Sequence, residues 1–325
     1  MGRDHGIRAP HYDVADPLVN EDMDNTPWTW TFEDGLVPHE QPSYLSRSFV
    51  QAISLMKIAG EINDVVYSIQ SYARRGGLNI GKVADLQCVN FMSHLNWVLT
   101  PFDSISLQLR SWEAKLPRTI RIAETSVHMS RVPPHIMMVN LAYHWLSILL
   151  LRPLFKPGYA PLPSSSSTSS GTYPDGFAAH LVDTDSQSRA KILQTLKGTA
   201  ASQCTTSANQ IVRLFNRYDA LYGLRFVAIT APQIAYMAGQ VHLGMYFAAT
   251  TSSAREKSHN MVLNCISILE KMGSSWVSGN VTASILKRLL VDGDRRYPKV
   301  SRIRDVHSSE SSIGGRFSPT PPALR

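Results

Sequence analysis

The sequence has few cysteines and none of the common catalytic motifs. Its three cysteines, Cys88, Cys204 and Cys265, lie far apart in the chain, whereas zinc clusters, zinc ribbons and redox CxxC motifs need closely spaced pairs. We therefore expect three buried thiols in a reducing compartment. G-x-S-x-G, Walker, G-x-G-x-x-G and H-E-x-x-H motifs are also missing. The sequence predicts no catalytic, cofactor-binding or metal-ligating residue, and we expect no enzyme activity.

Strong charge of one sign and long hydrophobic runs are scarce as well. The formal net charge is +7, but the basic residues are dispersed, which permits contact with nucleic acid or membranes without indicating either. The longest apolar stretch, 136–154, is interrupted by Asn140, His144 and Arg152, and it falls short of the about 20 apolar residues that span a bilayer. It predicts a buried core helix. Because no signal peptide is evident, we expect an intracellular protein without a membrane partner.

Helical periodicity runs through most of the sequence. Apolar residues recur at steps of three and four from position 49 onward, which is the spacing of an amphipathic helix with one buried face. The residues predicted on that buried face are Phe49, Ala52, Met56, Ala59, Ile62, Val66 and Ile69. Further helices are predicted at 82–98, 103–116, 134–151, 208–218, 232–249, 262–272 and 281–290. Repeated strand runs and hairpin turns are not evident, so the predicted fold class is all-α.

Glycine, proline and serine mark the predicted boundaries. Gly76 and Gly77 end the first helix, Pro101 ends the second, and Asp103 caps the start of the third. The predicted organisation is an irregular acidic, Trp-containing arm at 1–42, a large multi-helix domain at 43–292 with a flexible Ser-rich loop at 161–176, and a disordered basic tail at 293–325.

Acidic residues and histidines are the remaining candidates for a metal site. Five acidic residues grouped at 13–24 in the arm lack the ligand spacing of a calcium loop, so they predict a solvated segment. They are Asp13, Asp16, Glu21, Asp22 and Asp24. His135 and His144 fall on opposite faces of their helix, at an advance of about 100° per residue. They predict a polar residue at a helix start and a core histidine with satisfied hydrogen bonds, rather than metal ligands.

Several blocks of this sequence resemble the middle homology region of fungal zinc-cluster transcription factors, and the xylanolytic and nitrate-assimilation regulators look nearest. The blocks are LRSWEAKLP at 109–117, PPHIMMVNLAY at 133–143, ILLLRPLF at 148–155, DPLV at 16–19, and the segment 204–212 after the Ser-rich loop. The sequence departs from the family at Val19, where a second proline is usual, and at Leu151, where many members have histidine.

The resemblance implies a nuclear transcription regulator whose helical domain modulates an N-terminal zinc cluster and activation segments in response to metabolites or partner proteins. The partners that we expect are the transcription machinery or regulatory proteins, a small-molecule effector of unknown identity, or a second copy of the chain in a homodimer. The residues that we expect to be structural in it are Trp112, Tyr143, Trp145 and Arg152. Complete members carry an N-terminal six-cysteine module that binds two zinc ions and reads DNA. Its ligands are absent here, so we expect this chain to contact DNA only indirectly, as a fragment, a truncated gene prediction or a genuine short regulator.

Two other classes of protein stay open on the sequence alone. The first is a generic helical scaffold or adaptor. The second is a helical ligand-binding protein or enzyme, which a deep pocket with convergent polar groups between the core helices would favour.

Overall fold

The computed structural model describes residues 15–29, 41–75, 89–122, 132–155 and 179–296. Across these ranges the chain forms eight α-helices, one 3-10 turn and a single two-stranded antiparallel sheet, so the all-α prediction is confirmed. The helices are α1 (Glu21–Asn25), α2 (Leu45–Arg75), α3 (Val89–Lys115), α4 (Pro134–Leu151), α5 (Ala179–Tyr222), α6 (Ala231–Ala248), α7 (Ser252–Met272) and α8 (Val277–Arg296), and the strands are β1 (Pro27–Trp28) and β2 (Gln41–Pro42).

Helices α4 and α6 form the centre of the bundle. α4 contacts α2, α3, α5 and α6, while α6 also contacts α5, α7 and α8. Eight residues of α4 and eleven of α6 are buried. A helix that is apolar nearly all round must be covered from several sides, and these two helices are. The prediction that 134–151 is a core helix is confirmed.

Among the described helices, α4 alone is long and apolar enough to cross a membrane, with a mean hydropathy of 1.3 over 18 residues. A central helix in a globular bundle has the same length and apolar composition. In this protein α4 packs against four other helices, and this packing accounts for its apolar composition.

Proline and glycine mark several helix ends as local chemistry requires. Pro134 and Pro232 lie in the first turns of α4 and α6, where a missing N–H costs nothing because first-turn amides have no helical partner. Gly223 follows α5 at φ 72°, a conformation that a residue with a Cβ adopts at a cost. α2 is described as far as Arg75, and Gly76 and Gly77, where the sequence predicts its end, lie outside the described residues.

The predicted break at Pro101 is wrong. α3 is continuous from Val89 to Lys115, so the two helices expected at 82–98 and 103–116 are one, and the residues before 89 lie outside the described part. Asp103 lies inside α3 and is exposed, hence it does not cap a helix start. A proline removes one helical hydrogen bond, and the turns on either side of position 101 keep the helix intact.

The buried face of α2 differs from the predicted one. Leu55, Ile58 and Ile62 are buried, whereas Phe49 is 57% exposed and Met56 46% exposed. Position 56 lies about 100° around the helix from position 55, so the core face is rotated by one residue from the predicted stripe. Ala52, Ala59 and Val66 are half-buried at its edge; the side chain of Ile69 lies outside the described part.

The arm and the tail both contain more regular structure than predicted. Residues expected to be irregular form α1 and the β1–β2 pair, in which Pro27 faces Pro42 and Trp28 faces Gln41. α8 continues to Arg296, beyond the boundary predicted at 293. The Ser-rich loop at 161–176 and the tail from residue 297 lie outside the described residues.

Candidate functional site

One of the arm carboxylates is not solvated. Asp24 is 1% exposed, and its Oδ1 accepts hydrogen bonds from Ser46 Oγ at 2.8 Å and from the Arg47 backbone N–H at 3.1 Å. Arg47 Nε lies 3.3 Å from the other carboxylate oxygen. These contacts attach α1 to the start of α2, which is a structural role. Asp16, Glu21 and Asp22 are exposed as predicted, and Asp13 lies outside the described residues.

Metal ligands are not grouped in the described ranges, where no three His, Cys, Asp or Glu residues could hold an ion together. Cys204 and Cys265 are free and fully buried, on α5 and α7. Burial raises the pKa of each thiol to about 12, so both are protonated and unreactive at neutral pH. These two buried thiols do not fit the zinc cluster of the fungal regulators. Cys88 lies outside the described residues.

His135 joins α4 to the arm. Its Nε2 lies 2.7 Å from the Ser43 carbonyl oxygen, and Trp28 packs edge-on against its ring at 5.4 Å between ring centroids. Desolvation by burial lowers the pKa of this histidine. The ring is therefore a neutral donor to Ser43 near pH 7, at the helix start where the sequence predicts a polar residue.

A cleft opens between α3, α4 and α5, with a volume of about 300 Å³. We refer to it as the α3–α4–α5 cleft. Its lining consists of Ser106, Leu109, Arg110 and Glu113 from α3, Tyr143, His144, Ser147, Leu150 and Leu151 from α4, and Gln203, Thr206, Ser207 and Gln210 from α5.

Tyr143 forms one wall of this cleft together with two residues of α3. Its ring stacks on Trp112 at 5.6 Å between centroids and 17° between planes, and its hydroxyl donates to Glu113 Oε2 at 2.6 Å. Burial, followed by this hydrogen bond, raises the pKa of Tyr143, so the hydroxyl stays protonated. Trp112 Nε1 also donates to the Gln51 carbonyl of α2 at 3.3 Å. This wall is therefore fixed to two neighbouring helices.

His144 is not the satisfied core histidine that the sequence predicts. It lines the cleft, is half-buried, and its Nδ1 is buried without a hydrogen-bond partner among the described residues. Desolvation, and to a smaller extent the nearby charge of Arg213, lower the pKa of the imidazole to about 4. The ring is consequently neutral at pH 7, with one nitrogen as donor and the other as acceptor.

Asn140 holds the segment after α3 against α4. Its Nδ2 donates to the carbonyls of Ile120 at 3.0 Å and Ile136 at 2.8 Å, and its Oδ1 accepts from the Ile122 N–H at 3.3 Å. The guanidinium of Arg121 donates to two carbonyls in the last turn of α3, those of Glu113 and Ala114, and to the Leu116 carbonyl just after it. The end of α3, which carries Glu113, is therefore fixed from two sides.

We expect Asn140→Ala to lower the free energy of unfolding by about 2 kcal/mol, because the buried Ile120 carbonyl and the half-buried Ile122 N–H lose their partner. Asn280→Ala is the matched control, since this exposed amide also donates to a backbone carbonyl, that of Gly273 at 3.0 Å. Water replaces the lost bond there, so the expected change is under about 0.5 kcal/mol. Urea unfolding followed by circular dichroism measures both, and equal losses would contradict the role of Asn140.

Trp145 and Arg152, the other two residues expected to be structural, differ in how far their side chains are buried. Trp145 is half-buried against the core, and its Nε1 lacks a hydrogen-bond partner within the described ranges. Arg152 follows α4, where its backbone N–H donates to the Ile148 carbonyl at 2.8 Å while its side chain is exposed.

Comparison with protein-family models, curated proteins and solved structures found no match for this chain. The resemblance to the fungal regulators therefore stays a prediction from the sequence blocks. Sequence reasoning predicted no site, and it missed the cleft because the lining residues are divided among three helices that are distant in the chain. Tyr143 and His144 were singled out separately, without their neighbours from α3 and α5.

Proposed function

We propose that this chain is a regulatory domain of a fungal transcription regulator of the zinc-cluster class, which acts in the nucleus through an effector or protein bound at the α3–α4–α5 cleft. It has no catalytic role, and DNA is read by another module or another chain. The observation that supports this is the position of the sequence blocks that carry the resemblance. Block 109–117 covers the end of α3 and the two residues after it, and block 133–143 covers the first half of α4. Block 148–155 covers the last turn of α4 and the four residues after it, and 204–212 is on α5.

These blocks come together although long stretches of sequence separate them. Leu109 and Glu113 from the first, Tyr143 and Leu151 from the next two, and Ser207 from the last all line the cleft. A scaffold that only presents an outer surface needs no such convergence. A regulatory domain does need it, because an effector changes a conformational equilibrium only through contacts that differ between two states.

The proposal is tested by fusing the whole chain to the DNA-binding domain of a bacterial repressor and measuring a reporter gene in a fungal host. We expect the fusion to change reporter output several-fold relative to the DNA-binding domain alone. We further expect Ser147→Trp, which fills the cleft, to abolish this change. Ser284→Trp is the control, because this exposed residue of α8 makes the same hydrogen bond to the carbonyl four residues earlier, at 2.9 Å, as Ser147 does.

Unchanged reporter output with the unmodified fusion would show that the chain is not a regulatory domain. Equal output from Ser147→Trp and Ser284→Trp would show that the cleft is not where regulation occurs. A mobility-shift experiment with the chain alone completes the test. Tight sequence-selective binding would contradict the inference that DNA is read elsewhere, since a specific site is typically bound 10³-fold or more tightly than random DNA, at roughly 10⁻⁸ M or below.

A further inference from the structure

One face of α2 is apolar and exposed. Leu45, Phe49 and Met56 lie on it, and all three side chains are exposed. Positions 49 and 56 are about 40° and 20° around the helix from position 45, so the three share one direction, away from the helices that α2 contacts. Single exposed apolar residues need no explanation, but a continuous apolar face marks a surface that another molecule covers.

The N-terminal arm widens this face of α2. Asp16 pairs with Lys57 at 2.5 Å, and the backbone N–H of Asn20 donates to Ser46 Oγ at 2.8 Å. The arm therefore runs along α2 in the direction opposite to the helix, and the two exposed apolar residues between these contacts lie beside the apolar face. We refer to the whole as the arm–α2 surface, and its members are Leu18, Val19, Leu45, Phe49 and Met56.

The surroundings of the arm–α2 surface are acidic. Within 15–29 and 41–66, six acidic residues outnumber two basic ones. The two basic residues, Arg47 and Lys57, are already paired with carboxylates of the arm. Asp22 is exposed, and its carboxylate has no cationic partner among the described residues. A partner that covers this surface therefore gains from carrying positive charge next to apolar side chains.

A second exposed apolar surface, on α8, has that charge. Three of its valines are exposed and lie within about 40° of position 277 around the helix. Arg288 and Arg295 share this direction, are exposed, and have no acidic partner among the described residues. They outnumber Asp292, which is half-buried at the edge of the face. We refer to this face as the α8 surface, and its members are Val277, Val281, Arg288, Val291 and Arg295.

The two surfaces match each other but lie at opposite ends of one molecule. α2 packs on α1, α3 and α4, whereas α8 packs on α6 and α7, so the centre of the bundle separates them. Residues 45–56 and 281–291 span about 16 Å and about 15 Å, at 1.5 Å per residue, so the apolar faces are similar in length. Pairing either surface with its own copy would bring like charges together, which is unfavourable.

We propose that this chain assembles head to tail, with the arm–α2 surface of one molecule packed on the α8 surface of the next. Burial of the apolar side chains drives the contact, and the opposite charges select it over contacts between like surfaces. Each molecule carries one surface of each kind, so the contact repeats from molecule to molecule and builds a row or a ring. The assembly goes beyond the proposed function, because it does not involve the α3–α4–α5 cleft.

The first test is sedimentation velocity of the full chain at about 1–100 μM, the range in which weak interfaces associate. We expect the average mass to rise with concentration above 36.1 kDa, the mass of one molecule. Phe49→Lys and Val281→Asp each place on one surface a charge that repels the other surface, and we expect both variants to stay monomeric. An unmodified chain that stays monomeric throughout would overturn the inference.

A mixture of the two variants distinguishes head-to-tail contact from pairing of like surfaces. Phe49→Lys keeps its α8 surface and Val281→Asp keeps its arm–α2 surface, so one contact can still form between them. We expect the equimolar mixture to give a 1:1 dimer that grows no further, because the remaining surface of each partner is blocked. A mixture that stays monomeric, or association of either variant alone, would overturn the inference.

Matched controls separate these surfaces from general effects of charge. Leu107→Asp changes an exposed leucine of α3 that belongs to neither surface, and we expect it to leave association unchanged. Arg288→Glu is expected to weaken association by about fivefold or more, and Lys257→Glu, the same change of charge at an exposed lysine of α7, by less than about twofold. Circular dichroism checks that each variant is folded. Loss of association in Leu107→Asp, or equal weakening by the two charge reversals, would overturn the inference.

Discussion

Leu55→Ala is expected to lower the free energy of unfolding by about 2–5 kcal/mol, the range for truncating a fully buried leucine. Its neighbour in the chain, Met56, is expected to tolerate the same truncation within about 0.5 kcal/mol. The side chain of Leu55 is 0% exposed and that of Met56 is 46% exposed. The loss at Leu55 combines the apolar surface returned to water with the cavity left between α2 and the helices that it contacts, α3 and α4.

The adjacent pair tests the rotational position of α2 directly. Both side chains are unbranched at Cβ and both lie inside the same helix, so intrinsic helix propensity changes little in either variant. Urea denaturation curves of the two variants and the unmodified chain supply the free energies. A larger loss at Met56 than at Leu55 would mean that the face predicted from the spacing of Phe49 and Met56 is the buried one after all.

Acidification from pH 6.5 to pH 4 is expected to remove about 3 kcal/mol of stability through His242 alone, at about 1.4 kcal/mol per unit of pKa shift. His242 is 2% exposed on α6, and its Nε2 has no hydrogen-bond partner in the described part of the chain. Desolvation lowers the pKa of this imidazole to about 4, although its hydrogen bond to the Ala208 backbone opposes the shift.

The sign follows from which state binds the proton. An unfolded histidine titrates at about 6.5, so between pH 6.5 and 4 the unfolded chain binds a proton that the folded chain does not. The stabilisation is complete above pH 6.5 and is lost progressively as the pH falls to 4. Below that pH both states are protonated, and this residue contributes no further dependence.

The comparison of the unmodified chain with His242→Gln isolates this residue from every other group that titrates. The free energy of unfolding is measured in urea at several pH values between 7.5 and 4. At pH 7.5 the difference reports only packing and hydrogen bonding. We expect the unfolding free energy of the unmodified chain to fall by about 3 kcal/mol relative to that of His242→Gln as the pH is lowered to 4. Parallel curves for the two proteins would show that His242 is not held neutral by burial.

His242 also illustrates a limit of reading the sequence. It stands in an apolar helical segment, where a histidine is either buried or at an edge, and no neighbouring residue in the chain decides between the two. Burial follows from the contacts of α6 with α5, α7 and α8, which are distant in sequence. His144 shows the opposite outcome, because it opens into a cleft formed with α3 and α5 although it was predicted to lie in the core.

Asp24 makes the same point for charged groups. The five acidic residues grouped at 13–24 look alike in composition, and the sequence predicts all of them to be solvated. Ser46 and Arg47, more than twenty residues further along the chain, supply the hydrogen bonds that allow this one carboxylate to be buried. Its burial required a partner that no local pattern reveals, because a charge is tolerated in the interior only when it is paired.

The sequence alone determined the all-α class, the apolar core helix at 134–151 and the start of that helix at Pro134. These features depend on backbone conformation and on periodicity within about twenty residues. The tertiary structure alone decided which face of α2 is buried, that α3 continues through Pro101, and that residues of α3, α4 and α5 surround one cleft. The physical reason is that apolar and polar residues on a helix face are sorted by the helices packed against it, and those partners are set by contacts distant in sequence.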